Sequence, residues 1–320
     1  MAYDDGVDTI ITCDNGISAI DQIQYAKDLG LTVIVTDHHD VPFIEEDGVR
    51  TFLSSQADAI INPKQIECEY KFKSICGAGV AFKLMEALYE EIGMDKEECY
   101  KLIEFVAIAT VCDVVDLIDE NRIFVKNGLE MLNNSKNIGI NALKKACGLE
   151  DKEITAYHLG FVIGPCLNAS GRLDSAKKGL ELLLMEDDEE AEKLAQEIVD
   201  LNDARKNMTK EGVDRAINII DSTDINNDKI LVVYIPDIHE SLAGIVAGRV
   251  KEKYNKPTII LTKSEEGVKG SARSIEEYNE FEGLLACKEL LDKFGGHPMA
   301  AGLSLQEDKV DELRIALNNK

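Results

Sequence analysis

The opening of the chain places a short β-branched segment, an amphipathic segment and a second β-branched segment in succession, and this pattern constrains the fold more than any other feature. Residues 8–12 (DTIIT) predict a strand, residues 19–30 (AIDQIQYAKDLG) predict a helix that ends at Gly30, and residues 31–36 (LTVIVT) predict a second strand. Two strands that are connected through a helix run parallel in one sheet. The sequence therefore predicts a βαβ unit at the start of an α/β fold.

The rest of the chain extends this pattern into two domains connected by a long helix. Residues 59–64 (AIINPK) predict a third strand, and helices at residues 78–93 and 97–112 are expected to cover the sheet. Residues 187–221 contain no proline and only one glycine, which predicts a single helix of ~50 Å at 1.5 Å per residue. The expected parts are a parallel-sheet domain at residues 1–186, the connecting helix at 187–221, and a smaller α/β domain at 222–320.

Apolar spacing predicts further elements inside both domains. In the first domain, helical spacing recurs at residues 122–133, 141–147 and 155–163. In the second domain, helices are predicted at residues 241–254 and 282–294, and strands at 229–235, 257–262, 268–274 and 300–305.

The charge of the chain limits its contacts with nucleic acid. The formal charge of -25 argues against a general affinity for duplex DNA, because such affinity comes from cationic groups that neutralise phosphates. Residues 241–300 contain nine Lys and Arg and nine Asp and Glu, so this stretch is neutral within an acidic chain. Any contact with nucleic acid is therefore expected to be local.

Cysteine spacing and the N-terminus indicate the compartment. Eight cysteines lie apart without a CxxC pair, so neither a zinc knuckle nor a disulfide framework is indicated. The acidic start MAYDDGVD does not resemble a secretory signal, and no apolar run approaches the ~18 residues of a membrane span. We expect a cytoplasmic protein without a membrane contact.

Ionisable side chains follow both predicted strands of the opening unit. Asp14 comes directly after the first strand and precedes Asn15-Gly16, and Asp37-His38-His39 follows the second. An Asp-Asn-Gly sequence alone is typical of a turn, and adjacent histidines alone are typical of surface or core positions. The carboxyl ends of parallel strands, however, meet at the edge where α/β sheets bind ligands. Carboxylates and imidazoles at this edge predict a site for Mn²⁺, Fe²⁺, Zn²⁺ or Mg²⁺.

A further carboxylate, Asp113, ends the apolar segment IEFVAIATVC. It is suited either to an exposed position, which the helix dipole disfavours at a C-terminus, or to a metal. We favour the metal, since a buried carboxylate needs a partner.

Several polar residues near glycines are candidates for phosphate binding. The segment GPCLNASGRLDSA is expected to form a glycine-flanked loop that presents Asn168, Ser170 and Arg172, where the arginine could bind phosphate or pair with an acid. Glycines also allow backbone N–H groups to approach an anion, although a C-cap and turn explain Gly295-Gly296 equally well. The candidates in the second domain are Arg249, Ser271, Arg273, Gly295, Gly296 and His297.

Six sequence strings, in order along nearly the whole chain, resemble the RecJ exonuclease branch of the DHH phosphoesterase superfamily: TCDNGIS, VTDHH, ATVCDVV, NASGRLD, GSARS and FGGHPMAAGLSL. The resemblance implies a DHH domain, a long helix and a DHH-associated domain. It also implies 5'-to-3' degradation of single-stranded DNA with Mn²⁺ or Mg²⁺ in recombination and repair.

The resemblance also implies roles for individual residues. Asp14 is similar to the carboxylate that bridges two metal ions, and His38 and Asp113 are similar to ligands of one of them. Asp37 would orient an imidazole, and His39 would face the reacting phosphate or a metal. Arg172 would contact the scissile region. The substrate clamp would consist of Arg249, Ser271, Arg273, Gly296 and His297, with Asn168 and Gly295 as further phosphate contacts.

The family pattern leads us to expect more protein than this chain holds. A first DxD-containing motif is expected some tens of residues before TCDNG, whereas 13 residues precede Asp14. No room follows Lys320 for the OB-type domain that RecJ proteins use on single strands. We therefore expect a two-metal site in the longer protein and impaired activity in this chain.

Two other functions stay open. One is a phosphodiesterase for short oligonucleotides or cyclic dinucleotides, which turnover of dinucleotides would distinguish. The other is a non-catalytic DHH scaffold that binds nucleic acid or replication and repair proteins, against which the clustered ligands argue. The sequence leaves the oligomeric state open.

Overall fold

The computed structural model describes residues 2–46 and 49–319. The chain divides into two compact units. The first comprises the residues up to Pro165 together with Leu182–Ala195, and the second comprises Cys166–Glu181 together with the chain from Gln196 onward.

The sheet of the first unit is parallel and has the strand order β1-β2-β5. Strand β1 spans Thr9–Cys13, helix α1 spans Ile20–Asp28, and β2 spans Thr32–Thr36. The α1 to β2 turn passes through Gly30, whose φ of 83° favours glycine. Two further strands, β3 (Phe43–Glu46) and β4 (Val49–Phe52), pair antiparallel apart from this sheet, and β5 spans Ala59–Ile61. The predicted βαβ unit and third strand are confirmed.

Helices fill the rest of the first unit. One prediction was wrong in detail, because residues 97–112 form two helices that are separated at Lys101 and Leu102. The Asp95 side chain accepts a hydrogen bond from Glu97 N at 3.0 Å and so begins the first helix. The second begins where the chain becomes buried. The helices are α2 (Gly77–Glu91), α3 (Lys96–Tyr100), α4 (Ile103–Cys112), α5 (Asp119–Asn133) and α6 (Ile138–Ala146).

The segment predicted as a glycine-flanked loop is helical. Helix α7 (Ala156–His158) continues through a π-helical turn at Leu159–Ile163 into α8 (Gly164–Leu173). Pro165 lies in the first turn of α8, where its missing N–H is tolerated. The loop prediction was wrong because Ala169 and Ser170 are fully buried in the protein interior, whereas loops run over the surface. Asn168 and Arg172 therefore lie on a helix.

A long helix passes from the first unit into the second. After α9 (Lys177–Leu183), helix α10 spans Asp188–Ser222 with 35 residues. Its length confirms the predicted long helix. The domain limits inferred from the sequence stay a prediction.

The second unit contains a five-stranded sheet with the order β6-β7-β8-β10-β9. Its strands are β6 (Leu231–Tyr234), β7 (Thr258–Ser264), β8 (Gly267–Arg273), β9 (Lys293–His297) and β10 (Ala300–Leu305), and its helices are α11 (Ala243–Tyr254), α12 (Glu280–Leu285) and α13 (Val310–Asn318). Strands β6 and β7 are parallel, whereas the other neighbouring pairs are antiparallel. Together with the parallel sheet of the first unit, this confirms the predicted α/β class.

The predicted helix at residues 282–294 is α-helical only at its start. Regular α-helix ends at Leu285, a 3-10 turn follows at Lys288–Leu290, and Lys293 and Phe294 already belong to β9. Gly295 and Gly296 pair with Gly302 and Ala301 of β10, so they extend a strand and do not form the C-cap and turn that the sequence left open as an alternative. The apolar spacing of this segment fits a helix, but pairing with β10 determines its structure.

Candidate metal centre

Asp14 is held at the carboxyl end of β1 by the backbone. Its N–H donates to Thr36 O at 3.0 Å, which fixes it against the end of β2. Its φ of 64° is in the left-handed region, and Gly16 follows with a φ of 111°. A Cβ at Gly16 would lie 2.8 Å from Thr12 Oγ1, so the chain turns there only with glycine. The sharp turn presents the Asp14 carboxylate at the edge of the sheet.

Asp37 is the buried hydrogen-bond acceptor of this edge. Its side chain is 1% exposed, and its Oδ2 accepts from Ile17 N at 2.9 Å. Its Oδ1 accepts from the backbone N–H groups of His38 and His39 and lies 2.7 Å from His39 Nδ1. Burial alone would raise the pKa of Asp37, but these hydrogen bonds outweigh it and lower that pKa. An ionised Asp37 accepts the Nδ1 proton of His39 and orients its ring.

His38 lies between two carboxylates. Its Nε2 is 3.0 Å from Asp14 Oδ1 and 3.6 Å from Asp113 Oδ2. The side chain is only 12% exposed, and this nitrogen has no hydrogen-bond partner of acceptable geometry among the described residues. A buried imidazole nitrogen without a partner, with two carboxylate oxygens beside it, fits a metal ligand.

Asp113 reaches this cluster from the end of α4. It is the C-cap of that helix, and Val114 after it has a φ of 58°, which is unusual for a β-branched residue. Burial raises the pKa of the Asp113 carboxyl, the attraction of His38 opposes this increase, and the repulsion of Asp14 adds to it. A cation would relieve the repulsion between the two carboxylates.

The ligand atoms of Asp14, His38 and His39 lie within 4.8 Å of one another. His39 is 59% exposed and borders an open cavity of about 420 Å³ next to the Asn15–Ala19 loop. The largest of the described cavities, about 890 Å³, lies among α2, α4 and α5 and contains none of the predicted site residues. Of the predicted site residues of the first unit, Asp37 and His39 line the open cavity of about 420 Å³.

The second unit brings most of the predicted phosphate-binding residues onto one sheet. Arg273 and His297 both pair with Ala300, so they occupy one row across three strands. Two residues further along the strands, Ser271 and Gly295 both pair with Gly302. Two strand spacings separate the outer residues, or roughly 10 Å. The small residues of β10 leave an open shelf between them.

Arg273 also packs against α11. Its Nη1 donates to Ser271 Oγ at 3.1 Å and to Ala272 O at 2.7 Å. A Cβ at Gly244 would lie 2.8 Å from Arg273 Nη2, so this close approach requires glycine. Burial lowers the pKa of Arg273, and repulsion from Arg172 lowers it further. The guanidinium of Arg172 donates to Ser241 O at 3.0 Å.

Two domain families match the chain. Residues 3–110 match the DHH family, N-terminal domain, and residues 227–320 match the DHHA1 domain. The single-stranded-DNA-specific exonuclease RecJ of Bacillus subtilis is 41% identical over 315 residues, which are 98% of this chain and 38% of that protein. The Escherichia coli protein of the same name is 37% identical and is matched over 97% of this chain and 55% of its own length.

This chain contains a DHH-family N-terminal domain and a DHHA1 domain. A solved structure agrees: RecJ from Thermus thermophilus in complex with Mn²⁺ superposes with a TM-score of 0.83 at 29% identity, covering 98% of this chain and 44% of that one. The chain thus spans about 38–55% of the curated relatives named above. Within the described part of this chain, no helix combines the length and apolarity needed to cross a membrane.

The structure also shows residues of this chain that the sequence patterns did not indicate. A Cβ at Gly77, in the first turn of α2, would lie 2.3 Å from Asp14 Oδ1, so the helix start and the carboxylate are in direct contact. Asn62 Nδ2 donates to His39 O at 2.9 Å and holds the loop after β2. The Asn-Pro dipeptide near the end of the third predicted strand was the only available signal for Asn62, and Gly77 had none.

Proposed function

We propose that this chain contains the catalytic core of a metal-dependent exonuclease that hydrolyses single-stranded DNA from the 5' end, in recombination and repair. The observation that supports it most is the position of His38 Nε2, which is buried beside carboxylate oxygens of Asp14 and Asp113 and has no hydrogen-bond partner among the described residues. The names of the relatives specify single-stranded DNA. RecJ of T. thermophilus is solved with Mn²⁺ and with Mg²⁺, which supports one of these ions as the cofactor.

Asp14, His38 and Asp113 would hold the divalent ion in this proposal. One imidazole and two carboxylates suit Mn²⁺ and need no sulfur ligand. Asp14 is 56% exposed, so its second oxygen stays accessible to a second ion. When bound, divalent ions would lower the pKa of a coordinated water and stabilise the charge on the reacting phosphate.

Other side chains of the first unit would position the substrate. Asp37 holds the Nδ1 proton of His39 and thereby turns His39 Nε2 away from Asp37. The exposed ring is then available to a phosphate oxygen or to an ion at the open cavity. His39 would be the group that contacts the reacting phosphate, and Asp37 would position it.

The second unit would hold the strand. The shelf formed by Ser271, Arg273 and His297 with its glycines gives hydrogen-bond donors and positive charge around small residues. Arg172, Asn168 and Arg249 would add further phosphate contacts. Phosphate contacts fix the register of a strand and do not read its sequence, which suits an exonuclease.

A digestion assay on this chain tests the proposal. With Mn²⁺ and a 5'-labelled single strand, we expect slow mononucleotide release, in keeping with the impaired activity expected of this chain, and EDTA should abolish it. His38→Ala and Asp113→Asn are expected to reduce it at least ten- to hundredfold, because each removes a ligand or its support. His158→Gln changes a histidine outside the cluster and is the matched control.

Three outcomes would contradict this function. Faster turnover of dinucleotides than of long strands would indicate a short-oligonucleotide phosphodiesterase. Strand binding without any hydrolysis at saturating Mn²⁺ would indicate a scaffold. Hydrolysis that survives His38→Ala would place the chemistry elsewhere.

A further inference from the structure

A small groove in the second unit lies between α10 and α11. Its lining includes Arg205, Thr209 and Lys210 from α10, together with Ile245 and Arg249 from α11, and its volume is about 280 Å³. Side chains four residues apart lie on the same face of a helix, so each helix turns one face to the groove. The volume is below the ~300–1,000 Å³ of pockets for drug-sized ligands, and it suits one small group.

Among the described residues, the charged side chains that line this groove are all cations. They are Arg205, Lys206, Lys210 and Arg249. Within the described chain, only Lys206 of these four is in an ion pair, with Asp203 Oδ1 at 2.9 Å outside the lining. The chain has 60 Asp and Glu against 35 Lys and Arg, so a groove that excludes carboxylates differs from the rest of its surface. This composition indicates an anionic ligand.

Arg205 is partly buried without an acidic partner among the described residues. Its Nε and Nη2 both donate to Asn202 Oδ1, at 3.1 and 3.0 Å. Burial lowers the pKa of Arg205, and repulsion from Arg172 and Arg249 lowers it further. Burying cations next to one another costs free energy, unless an anion binds between them. Repulsion from Arg172 also lowers the pKa of Arg273.

Thr209 gives an observation that is independent of charge. The residue is 9% exposed, and its Oγ1 is buried without a hydrogen-bond partner among the described residues. A threonine inside a helix commonly donates to the carbonyl four residues earlier, and Thr209 does not. A buried hydroxyl left unpaired is unfavourable. Thr209 lines the groove, so a ligand oxygen that accepts a hydrogen bond from its hydroxyl would satisfy this buried donor.

We propose that this groove binds one phosphate of a single-stranded nucleic-acid backbone, through the guanidinium groups of Arg205 and Arg249 and the hydroxyl of Thr209. A phosphate supplies the acceptor oxygens that these donors lack. Because α11 contacts Arg273 at Gly244 and lines the groove with Ile245 and Arg249, the groove and the Ser271–Arg273 shelf would take two phosphates of one strand. That the phosphate belongs to a nucleic-acid strand rests on the proposed function. A free phosphate ion has the same chemistry, so the test must distinguish the two sources.

The test is strand binding by this chain in EDTA, where no hydrolysis interferes, measured by fluorescence anisotropy over a series of KCl concentrations. The probes are a labelled dinucleotide and a labelled strand of about 12 nucleotides. Lys210→Gln is expected to weaken binding of the longer strand about tenfold and to reduce the salt slope by about 0.7, the value for one phosphate on a single strand. The dinucleotide has one internucleotide phosphate and cannot place a phosphate in both sites at once, so its affinity should not change.

Thr209→Val separates binding from folding. It removes the hydroxyl at constant charge, so binding of the longer strand should weaken about fivefold with an unchanged salt slope. The same variant is expected to keep or raise the unfolding temperature, because it removes an unpaired polar group. Lys253→Gln removes one charge from α11 outside the groove lining and should leave the affinity within about twofold, since it contacts no phosphate.

Two results would overturn this inference. One is that the unchanged chain and the variants Lys210→Gln and Thr209→Val all bind the longer strand with the same affinity. The other is that the variants bind both probes more weakly by the same factor and that inorganic phosphate competes with both probes. The groove would then hold a free or terminal phosphate. Hydrolysis with Mn²⁺ is assayed separately. If the expected binding changes occur but no hydrolysis is seen, the exonuclease proposal is contradicted and the proposed phosphate site in the groove is not.

Discussion

Glu280 is a buried carboxyl of the second unit that no proposed activity uses. It is 0% exposed, and neither carboxylate oxygen has a hydrogen-bond partner among the described residues. The neighbouring Ser274 donates its hydroxyl proton to Tyr278 O at 2.8 Å, so it gives Glu280 little help. Burial raises the pKa of Glu280 from 4.5 to about 7, against a small opposing effect of Ser274.

This pKa predicts a stability that decreases as pH rises. Between the unfolded pKa of 4.5 and the folded pKa of about 7, the folded state binds the extra proton, so unfolding becomes easier with increasing pH. The loss approaches about 3 kcal/mol above pH 7, at about 1.4 kcal/mol per pKa unit. Urea unfolding of the second unit from pH 5 to 8 measures it, and Glu280→Gln should flatten the profile. The same slope in that variant would show that another group titrates.

Asp37→Asn tests the hydrogen bonds that support the metal centre. The amide keeps the shape of Asp37 but only one acceptor oxygen. If this oxygen accepts from the His38 and His39 groups, the amide nitrogen faces the Ile17 N–H and cannot accept from it. We expect Mn²⁺ affinity to fall about 10- to 100-fold, as for other residues that orient metal ligands. Calorimetric titration measures this, with Asp40→Asn as a control of equal charge change. An unchanged affinity would show that Asp37 does not support the metal centre.

Among the helices and strands, the start of α2 determines where the Asp14 carboxylate can lie. Gly77→Ala would place a Cβ 2.3 Å from Asp14 Oδ1, so the carboxylate must move away from His38. We predict that Mn²⁺ binding is lost while the circular dichroism spectrum is kept. Gly248→Ala is the matched control, because a Cβ there meets open space, and it should stabilise α11 by about 1 kcal/mol. Normal Mn²⁺ binding by Gly77→Ala would contradict the observed packing.

The elements that the sequence predicted correctly are those whose burial pattern is local. Residues 31–36 are mostly apolar because β2 is the central strand of its sheet. Asp37 follows and marks the end of the strand. Residues 293 and 294 were mispredicted as the end of a helix because their apolar spacing fits a helix, whereas they begin a hairpin in which His297 pairs with Ala300. Residues 164–173 were mispredicted because glycine and proline suggest a loop, whereas packing buries Ser170.

The same distinction applies to the site. The ligand candidates Asp14, His38 and Asp113 were visible because each follows an apolar element directly, and the structure places them together. Gly77, Arg205 and Thr209 had no such signal, since their significance depends on contacts with residues distant in sequence or on another helix.

In the whole molecule, the two compact units should respond to different ligands. A ligand that binds only the folded state stabilises it by about 2.7 kcal/mol at a concentration of 100 Kd. We predict that Mn²⁺ slows hydrogen exchange in β1, β2 and the end of α4, and leaves β7, β8 and β10 unchanged. Mass spectrometry of peptides after exchange resolves the two units. Equal protection of both units by Mn²⁺ would mean that the ion does not act through the first unit alone.

The most direct test of the proposed metal centre is pulsed electron paramagnetic resonance of Mn²⁺ bound to this chain. We predict a coupling between the ion and an imidazole nitrogen, which decreases in His38→Gln and stays in His158→Gln. A bound Mn²⁺ without nitrogen coupling, or a coupling that His38→Gln leaves unchanged, would contradict a metal centre built on His38.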